Sequence, residues 1–136
     1  MNWDRSHAAW QMREGGGKVT AFAYFEVEDN DEFLTIRLAN PVYFDVVQYG
    51  ELRDELIDFV ERQRPKKLLV DFSAVRYCST AVINTLLMVK DRLDGYGGQL
   101  KFCQMDDVVR ESFERLNLVG TTFGIYASVP LAAAAF

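Results

Sequence analysis

Residues 68–94 read LLVDFSAVRYCSTAVINTLLMVKDRLD, and their pattern of apolar and polar residues predicts the fold. Residues 67–72 are a short apolar run of the kind that forms a strand buried on both faces. Ser79 then stands as the N-cap of a run with helical apolar spacing, which ends at the glycine-rich residues 95–98. The residues predicted to face inward are Val82, Ile83, Leu86, Leu87, Val89 and Leu93. The stretch therefore predicts a strand, a loop and a helix, as in a parallel crossover.

The same alternation of strands and helices extends in both directions. Apolar runs predict four further strands, at residues 20–27, 33–39, 100–103 and 121–126, of which the first two form a hairpin. Helical spacing and capping residues predict three further helices, which begin near Phe44, Asp106 and Ser128. In the Asp106 helix, Val109, Phe113 and Leu116 are expected to face the core. The order β-β-α-β-α-β-α-β-α predicts a single α/β domain with a mixed, mostly parallel sheet, an opening β-hairpin and about four helices.

Residues 1–18 are predicted to be a weakly structured leader, and residues 19–136 the domain. The leader ends in a run of three glycines, whose conformational entropy disfavours the interior of a helix or strand. Trp3 and Trp10 are exceptions within it, because large aromatic side chains favour packing. The sequence therefore leaves open whether this region forms an extra edge strand.

The overall composition excludes several classes of protein. The 136 residues are 49% hydrophobic and 26% charged, with a formal net charge of −5, which is ordinary for a globular domain. There is no basic stripe to collect phosphates, so we expect no nucleic-acid partner. No apolar run reaches the roughly 18–20 residues of a membrane-spanning helix, so we expect no membrane insertion. Without a signal-peptide core or a disulfide framework, we expect a reduced, cytoplasmic protein.

The residue types that catalysis needs are scarce. The only histidine is His7 in the leader, so no nucleophile in the core can be paired with a histidine base. Cys78 and Cys103 lack metal-ligand spacing, and we expect no metal, no cofactor and no enzymatic activity. Asp71 ends a strand at the position where α/β folds bind ligands. Its carboxylate is nevertheless expected to accept hydrogen bonds in the turn that follows.

Two short motifs in the opening stretch resemble those of a known family. Residues 71–75, DFSAV, match a strand that closes in Asp-(Leu/Phe)-Ser-x-Val, and residues 78–81, CSTA, match the loop Asp-Ser-(Ser/Thr)-Gly. Gly97 and Gly98 before the next strand also fit, as do Phe113 and Leu116. Over residues 20–136 the chain resembles a STAS domain, the fold of bacterial anti-sigma factor antagonists that also occurs in stressosome proteins and anion transporters. The resemblance implies a STAS-like α/β fold.

The resemblance also implies a regulatory function without catalysis. In antagonists of this family the first serine of the loop, here Ser79, is phosphorylated by a partner kinase of the histidine-kinase-like ATPase type. The unmodified antagonist captures the anti-sigma factor and the phosphorylated form releases it, which regulates transcription. The implied partner is a histidine-kinase-like anti-sigma factor or a serine kinase. The residues expected to contact it lie in the loop or near the first helix: Cys78, Thr80, Ala81, Val82, Tyr43 and Phe44.

Three places depart from the family pattern. Cys78 stands where the family has aspartate, Ala81 replaces the loop glycine, and Asn40-Pro41 replaces a glycine-containing turn. The sequence therefore leaves open whether Ser79 is only a helix N-cap. The sequence also leaves open a second function, in which the chain is a constitutive STAS-type interaction or ligand-sensing subunit of a larger complex and is not phosphorylated. A thiol-dependent enzyme that uses Cys78 is a third alternative, although this residue also suits a small buried hydrophobic position.

Overall fold

One mixed sheet contains all the strands of the described chain. The computed structural model describes residues 11–12 and 17–136. The strands lie side by side in sequence order. They are β1 (Gln11–Met12), β2 (Lys18–Ala21), β3 (Phe25–Asp29), β4 (Leu34–Leu38), β5 (Lys67–Asp71), β6 (Gln99–Cys103) and β7 (Gly124–Tyr126). The helices of this part are α1 (Val46–Gln63), α2 (Thr80–Asp94), α3 (Asp107–Glu114) and α4 (Val129–Ala134).

The strand direction divides the sheet into two halves. Neighbours from β1 to β4 are antiparallel, and neighbours from β4 to β7 are parallel. Ile36 of β4 lies beside Val70 of β5, which lies beside Phe102 of β6. The helices α1, α2 and α3 supply the crossovers that parallel neighbours need. The predicted α/β domain with a mixed sheet and an opening hairpin is confirmed, although the parallel half of the sheet is no larger than the antiparallel half.

Strand β5 is covered on both faces of the sheet. Leu68 and Val70 point into a core that they share with α1, α2 and α3, whereas Leu69 packs with Ala132 of α4 on the opposite face. The three β5 residues are at most 1% exposed. The main core contains an aromatic cluster with ring centroids 4.5 to 6.0 Å apart, formed by Phe72, Phe102, Phe113 and Phe123. This double burial explains why the β5 sequence is a continuous apolar run.

The prediction of one strand over residues 20–27 is wrong. The chain forms two strands there, β2 and β3, which pair with each other. In the turn between them, the Phe22 N–H donates to the carbonyl of Phe25 at 2.8 Å, and their rings stack with centroids 4.8 Å apart. The apolar residues that suggested a continuous strand therefore hold a turn instead. The pairing of β2 with β3 adds an antiparallel pair to the predicted hairpin, so the sheet is less parallel than the sequence indicates.

The predicted inward orientation of Leu116 is also wrong. Helix α3 ends at Glu114, so Leu116 lies beyond its last turn and is 49% exposed. Asn117 then adopts a left-handed conformation with φ 56°, which turns the chain away from the helix axis. The helical periodicity of the sequence continues two residues past the end of α3.

The predicted helix starts are confirmed by capping geometry. Ser79, Asp106 and Ser128 are the N-caps of α2, α3 and α4, and each side chain accepts a hydrogen bond from the backbone N–H three residues later. Helix α1 begins two residues later than predicted, because Asp45 forms a capping box with Gln48.

Most of the predicted leader, including Trp3 and Trp10, lies outside the described residues. Four of its residues are described. Two of them form β1, in which Gln11 lies opposite Val19 of β2, and the others are Gly17 and Lys18, of which Lys18 belongs to β2. The edge strand that stayed open in the sequence is thus present. The boundary between leader and domain stays a prediction.

We predict opposite effects on stability from two glycine-to-alanine changes. A Cβ at Gly98 would lie 2.9 Å from the carbonyl oxygen of Pro65 and 3.0 Å from side-chain atoms of Leu93 and Tyr96. Gly98→Ala is therefore expected to lower the free energy of unfolding by about 1–3 kcal/mol. The control is Gly50→Ala within α1, where a Cβ meets nothing closer than 3.8 Å, and it is expected to raise that free energy by about 0.5–1 kcal/mol. Urea denaturation measures both, and an unchanged midpoint for Gly98→Ala would contradict the packing described.

Candidate functional site

Ser79 begins helix α2 at the end of the loop that follows β5. Its backbone is extended, with φ −82° and ψ 166°, and its Oγ accepts a hydrogen bond from the N–H of Val82 at 3.4 Å. Its carbonyl oxygen accepts from the N–H of Ile83 at 3.0 Å. The Oγ distance is long for such a bond, so the cap is weak. Ser79 is half-buried, and its hydroxyl lies at the boundary between the helix start and the surface.

The carboxylate of Asp71 holds the start of this loop. Asp71 is 1% exposed. Its Oδ1 accepts from the backbone N–H of Ser73 at 2.8 Å. Its Oδ2 accepts from Arg37 Nε at 3.2 Å and from Gln104 Nε2 at 3.1 Å, and Arg37 also pairs with Glu26 at 2.9 Å. The prediction that the Asp71 carboxylate accepts a hydrogen bond in the turn is confirmed. All three of its hydrogen-bond donors are groups of this domain.

A second contact joins this loop to the one between β4 and α1. The side-chain oxygen of Asn40 accepts from the backbone N–H of Arg76 at 3.1 Å. The Arg76 guanidinium donates to the carbonyl oxygens of Ser73 and Val75, at 2.8 and 3.2 Å. Asn40, one of the departures from the family pattern, therefore fixes the two loops against each other. Sequence reasoning did not find this contact, because nothing local signals it.

The residues predicted to contact a partner fall into two groups. Thr80 and Ala81 are exposed at the start of α2, and Tyr43 is 92% exposed before α1. Phe44 is half-buried, with its ring edge-on to two neighbouring tyrosine rings. Cys78 and Val82 are buried. The side chains of the second group therefore support the loop from inside and offer a partner almost no surface.

Of an exposed apolar patch next to this site, sequence reasoning found only Tyr43. We call it the apolar rim, and it consists of Val42, Tyr43, Val46 and Val47, which are 40–92% exposed. A groove of about 360 Å³ between α1 and α2 adjoins it, lined by Val46, Tyr49, Gly50, Arg53, Ala81, Asn84, Thr85 and Met88. The available signal was a pair of adjacent valines on the first turn of α1, outside the inward-facing stripe. Large exposed apolar clusters of this kind mark interaction surfaces.

A second depression lies on the other side of Ser79, between α2 and the end of α3. We call this volume of about 270 Å³ the Ser79 cavity. It is lined by Tyr77, Cys78, Ser79, Thr80, Ile83, Ser112, Arg115 and Leu116. Ser79 thus lies near two concave surfaces, and each is lined by one arginine, Arg53 in the groove and Arg115 in the Ser79 cavity.

The thiol of Cys78 is not in a reactive environment. Cys78 is 5% exposed and belongs to the main core. Burial raises the pKa of its thiol to about 12. A thiol with so high a pKa stays protonated at neutral pH, and the thiolate is the nucleophilic form. The structure therefore favours the small buried hydrophobic interpretation over the thiol-dependent enzyme.

Residues 11–12 and 17–136 contain neither a cluster of metal-ligating side chains nor a membrane-spanning helix. Histidine, cysteine and acidic side chains nowhere gather there in a group of three that suits a metal ion. In the same residues, every helix is too short or too polar to cross a membrane.

A model of the STAS domain family matches residues 24–132, which is most of the chain. The chain belongs to the STAS domain family. The family indicated by residues 71–75 and 78–81 is thereby confirmed. No curated protein matches the sequence significantly.

Several solved structures share the fold. An anti-sigma-factor antagonist (STAS) domain protein from Planctomyces limnophilus has a TM-score of 0.69 and 15% identity, over 82% of this chain and 96% of the other. An anti-sigma factor antagonist from Mycobacterium paratuberculosis has 0.68 and 19%, over 92% and 97%. Unphosphorylated SpoIIAA, also an anti-sigma factor antagonist, has 0.66 and 16%, over 82% and 94%. A stressosome chain and a sulfate transporter family protein from Wolinella succinogenes are also similar, at TM-scores of 0.64 and 0.59. At these identities the likeness establishes the STAS fold.

We predict that both thiols of the folded STAS domain react slowly with iodoacetamide. Burial raises the pKa of Cys78 and of Cys103 from 9.0 to about 12. At pH 8 this lowers the thiolate fraction roughly a thousandfold. Mass spectrometry of timed samples measures the modification, and the same protein in urea is the control, in which both thiols are expected to react fast. Rapid modification of Cys78 in the folded protein would contradict its buried, protonated state.

Proposed function

We propose that this STAS domain is a non-enzymatic regulatory protein that binds a protein partner through the start of α2 and the apolar rim, and that phosphorylation of Ser79 releases this partner. The observation that carries the proposal is the position of Ser79. Its half-buried hydroxyl adjoins the exposed Thr80 and Ala81, and the α1–α2 groove connects Ala81 to Val46 of the rim. A single added phosphate therefore changes the charge beside a surface that suits a protein partner.

The apolar rim supplies the affinity for the unmodified form. Tyr43 and Val46 are 92% and 87% exposed, so nearly all of their apolar surface is available to a partner. Complete burial of such a side chain contributes about 1.5–3 kcal/mol before the costs of association. The loop contact between Asn40 and Arg76 holds the rim in a fixed position relative to Ser79, and preorganisation of this kind favours binding.

The switch is a phosphoryl transfer from ATP, catalysed by a serine kinase. The Ser79 Oγ attacks the γ-phosphorus of ATP, the new O–P bond forms, and the bond from the γ-phosphorus to the β–γ bridging oxygen breaks. The hydroxyl proton passes to a base of the kinase, and ADP leaves. The product carries about −1.5 to −2 additional charges at the N-terminus of α2, where the helix dipole and free N–H groups stabilise an anion.

The same charge opposes binding of the partner. A docked partner removes water from the phosphate, and a charge left without a counter-ion in an interface costs about 2–5 kcal/mol. That is enough to weaken binding by a factor of roughly 30 to several thousand. The proposed partner is a histidine-kinase-like anti-sigma factor or serine kinase in the cytoplasm, and the proposed outcome is control of transcription. The similarity to anti-sigma factor antagonists supports this choice.

A constitutive STAS subunit of a larger complex is the second candidate function. The departures at the loop favour it: the buried Cys78 replaces an acidic residue beside Ser79, and the exposed Ala81 adds a Cβ where the family has glycine. The fold is also shared by a stressosome chain and by a sulfate transporter family protein. In this role a partner binds through the same surface and is indifferent to charge at Ser79.

We predict that Ser79→Glu abolishes capture of the partner from the native lysate, whereas Ser79→Ala retains it. The matched control is Ser128→Glu, which places the same charge at the N-cap of α4 on the opposite face of the sheet. Pull-downs with the unmodified chain and the three variants as baits, analysed by mass spectrometry, measure capture. Thermal melting is expected to change little in Ser79→Glu, because the cap bond that is lost is long, at 3.4 Å, and a negative charge is favourable at a helix N-terminus.

Three outcomes are informative. Loss of a histidine-kinase-like ATPase with Ser79→Glu alone supports the switch. Equal capture of the same proteins by all four baits would overturn it in favour of the constitutive subunit. Loss with Ser128→Glu as well would show that added charge acts non-specifically.

A further inference from the structure

A cationic side chain lines the Ser79 cavity, and the proposed switch gives it no role so far. Among the described residues that line this cavity, Arg115 is the only charged one, and it approaches from the end of α3. Two serines and a threonine, Ser79, Thr80 and Ser112, line the same cavity. Ser79 and Arg115 therefore line one small volume, although they are far apart in sequence.

Arg115 is held only loosely in the unmodified protein. Its Nη2 lies 2.8 Å from Oε1 of Glu111, one helical turn earlier, and the two side chains are 71% and 57% exposed. Ion pairs this exposed on one helix are weak and exchange readily. Arg115 is thus available to a stronger anion. The other arginine close to the loop, Arg76, donates to the backbone carbonyls of Ser73 and Val75 and so has partners already.

We infer that Arg115 holds the phosphate of phosphorylated Ser79. The inference rests on the proposed function, because it specifies how the modified site is organised. The planar guanidinium donates two parallel hydrogen bonds to phosphate oxygens, and these charge-assisted bonds are stronger than the single contact to Glu111. Ser112 lines the same cavity, and its hydroxyl must leave its long 3.4 Å contact with the carbonyl of Val108 to donate to the phosphate.

The contact gives the modified protein a different surface as well as a different charge. Arg115 leaves Glu111 and joins the end of α3 to the start of α2, so the mouth of the Ser79 cavity closes. The phosphate is drawn toward α3, beside the exposed side chains of Tyr77 and Leu116. A partner that docks over the start of α2 then meets a filled cavity. Arg115 is in this sense a positioning residue for the phosphate.

The test measures the second pKa of the phosphate, which is ordinarily about 6. Phosphoserine is incorporated at position 79 of the full chain during translation, so no kinase is needed, and ³¹P NMR follows the titration. A guanidinium bound to the phosphate favours the dianion and lowers this pKa. Arg115→Ala is therefore expected to raise it by about 0.5 pH unit, and Arg115→Lys by less.

Arg110→Ala is the matched control. Arg110 makes the same kind of pair along α3, with Glu114 at 3.0 Å, but does not line the Ser79 cavity. A shift with Arg115→Ala and none with Arg110→Ala supports the inference. Equal shifts in both variants would overturn it, because the phosphate would then sense only the general charge of α3. No shift in either variant would also overturn it, because Arg115 would then make no contact with the phosphate.

The same phosphoprotein separates this inference from the proposed function. If Arg115→Ala shifts the phosphate pKa while the phosphorylated chain still captures its partners, the contact stands and the switch fails. If phosphorylation releases the partner but Arg115→Ala leaves the phosphate pKa unchanged, the proposed switch holds and the proposed contact with Arg115 is wrong. Unmodified Arg115→Ala and Arg110→Ala should melt like the parent chain, since both pairs are exposed.

Discussion

The functional loop depends on one buried carboxylate. Asp71 ends the central strand and receives hydrogen bonds from the neighbouring strand β4 through Arg37, from the end of β6 through Gln104, and from the loop itself through Ser73. A buried carboxylate is costly unless it is satisfied in this way. Because all three contacts converge on Asp71, the chain leaves β5 in one direction and reaches Ser79 at a defined place. The bond from Arg76 to Asn40 extends the same constraint to the loop before α1.

This arrangement divides the molecule into a frame and a surface. The frame consists of β4, β5 and β6 with the aromatic cluster, and most of its side chains are buried. The surface consists of the apolar rim and the exposed start of α2, which contribute little to the core. Ser79 lies at the boundary between them, half-buried and weakly hydrogen-bonded. In the proposed switch, phosphorylation there has no large cost in folding free energy, because the hydroxyl that receives the phosphoryl group accepts only one long hydrogen bond.

Features that depend on residues close together in sequence were predictable, and features that depend on distant residues were not. The buried run before Asp71 and the caps Ser79, Asp106 and Ser128 follow local rules, so the crossover units were found. The turn at Phe22 was missed because stacked aromatic residues imitate an alternating strand. The Asn40 contact joins residues 36 positions apart, and the Ser79 cavity joins α2 to α3; neither leaves a local pattern. The exposed valines of α1 were missed because periodicity identifies the buried face and says little about the rest.

The central claim is that a phosphate at Ser79 changes the surface while the Asp71 frame stays intact. Amide hydrogen exchange, followed by NMR on the full chain with and without phosphoserine at position 79, tests it most directly. The account predicts altered exchange in residues 76–83 and at the end of α3, with unchanged protection in β4, β5 and β6. Loss of protection in β5 and β6 would contradict it, because the phosphate would then act by loosening the fold and not by changing the surface that a partner meets.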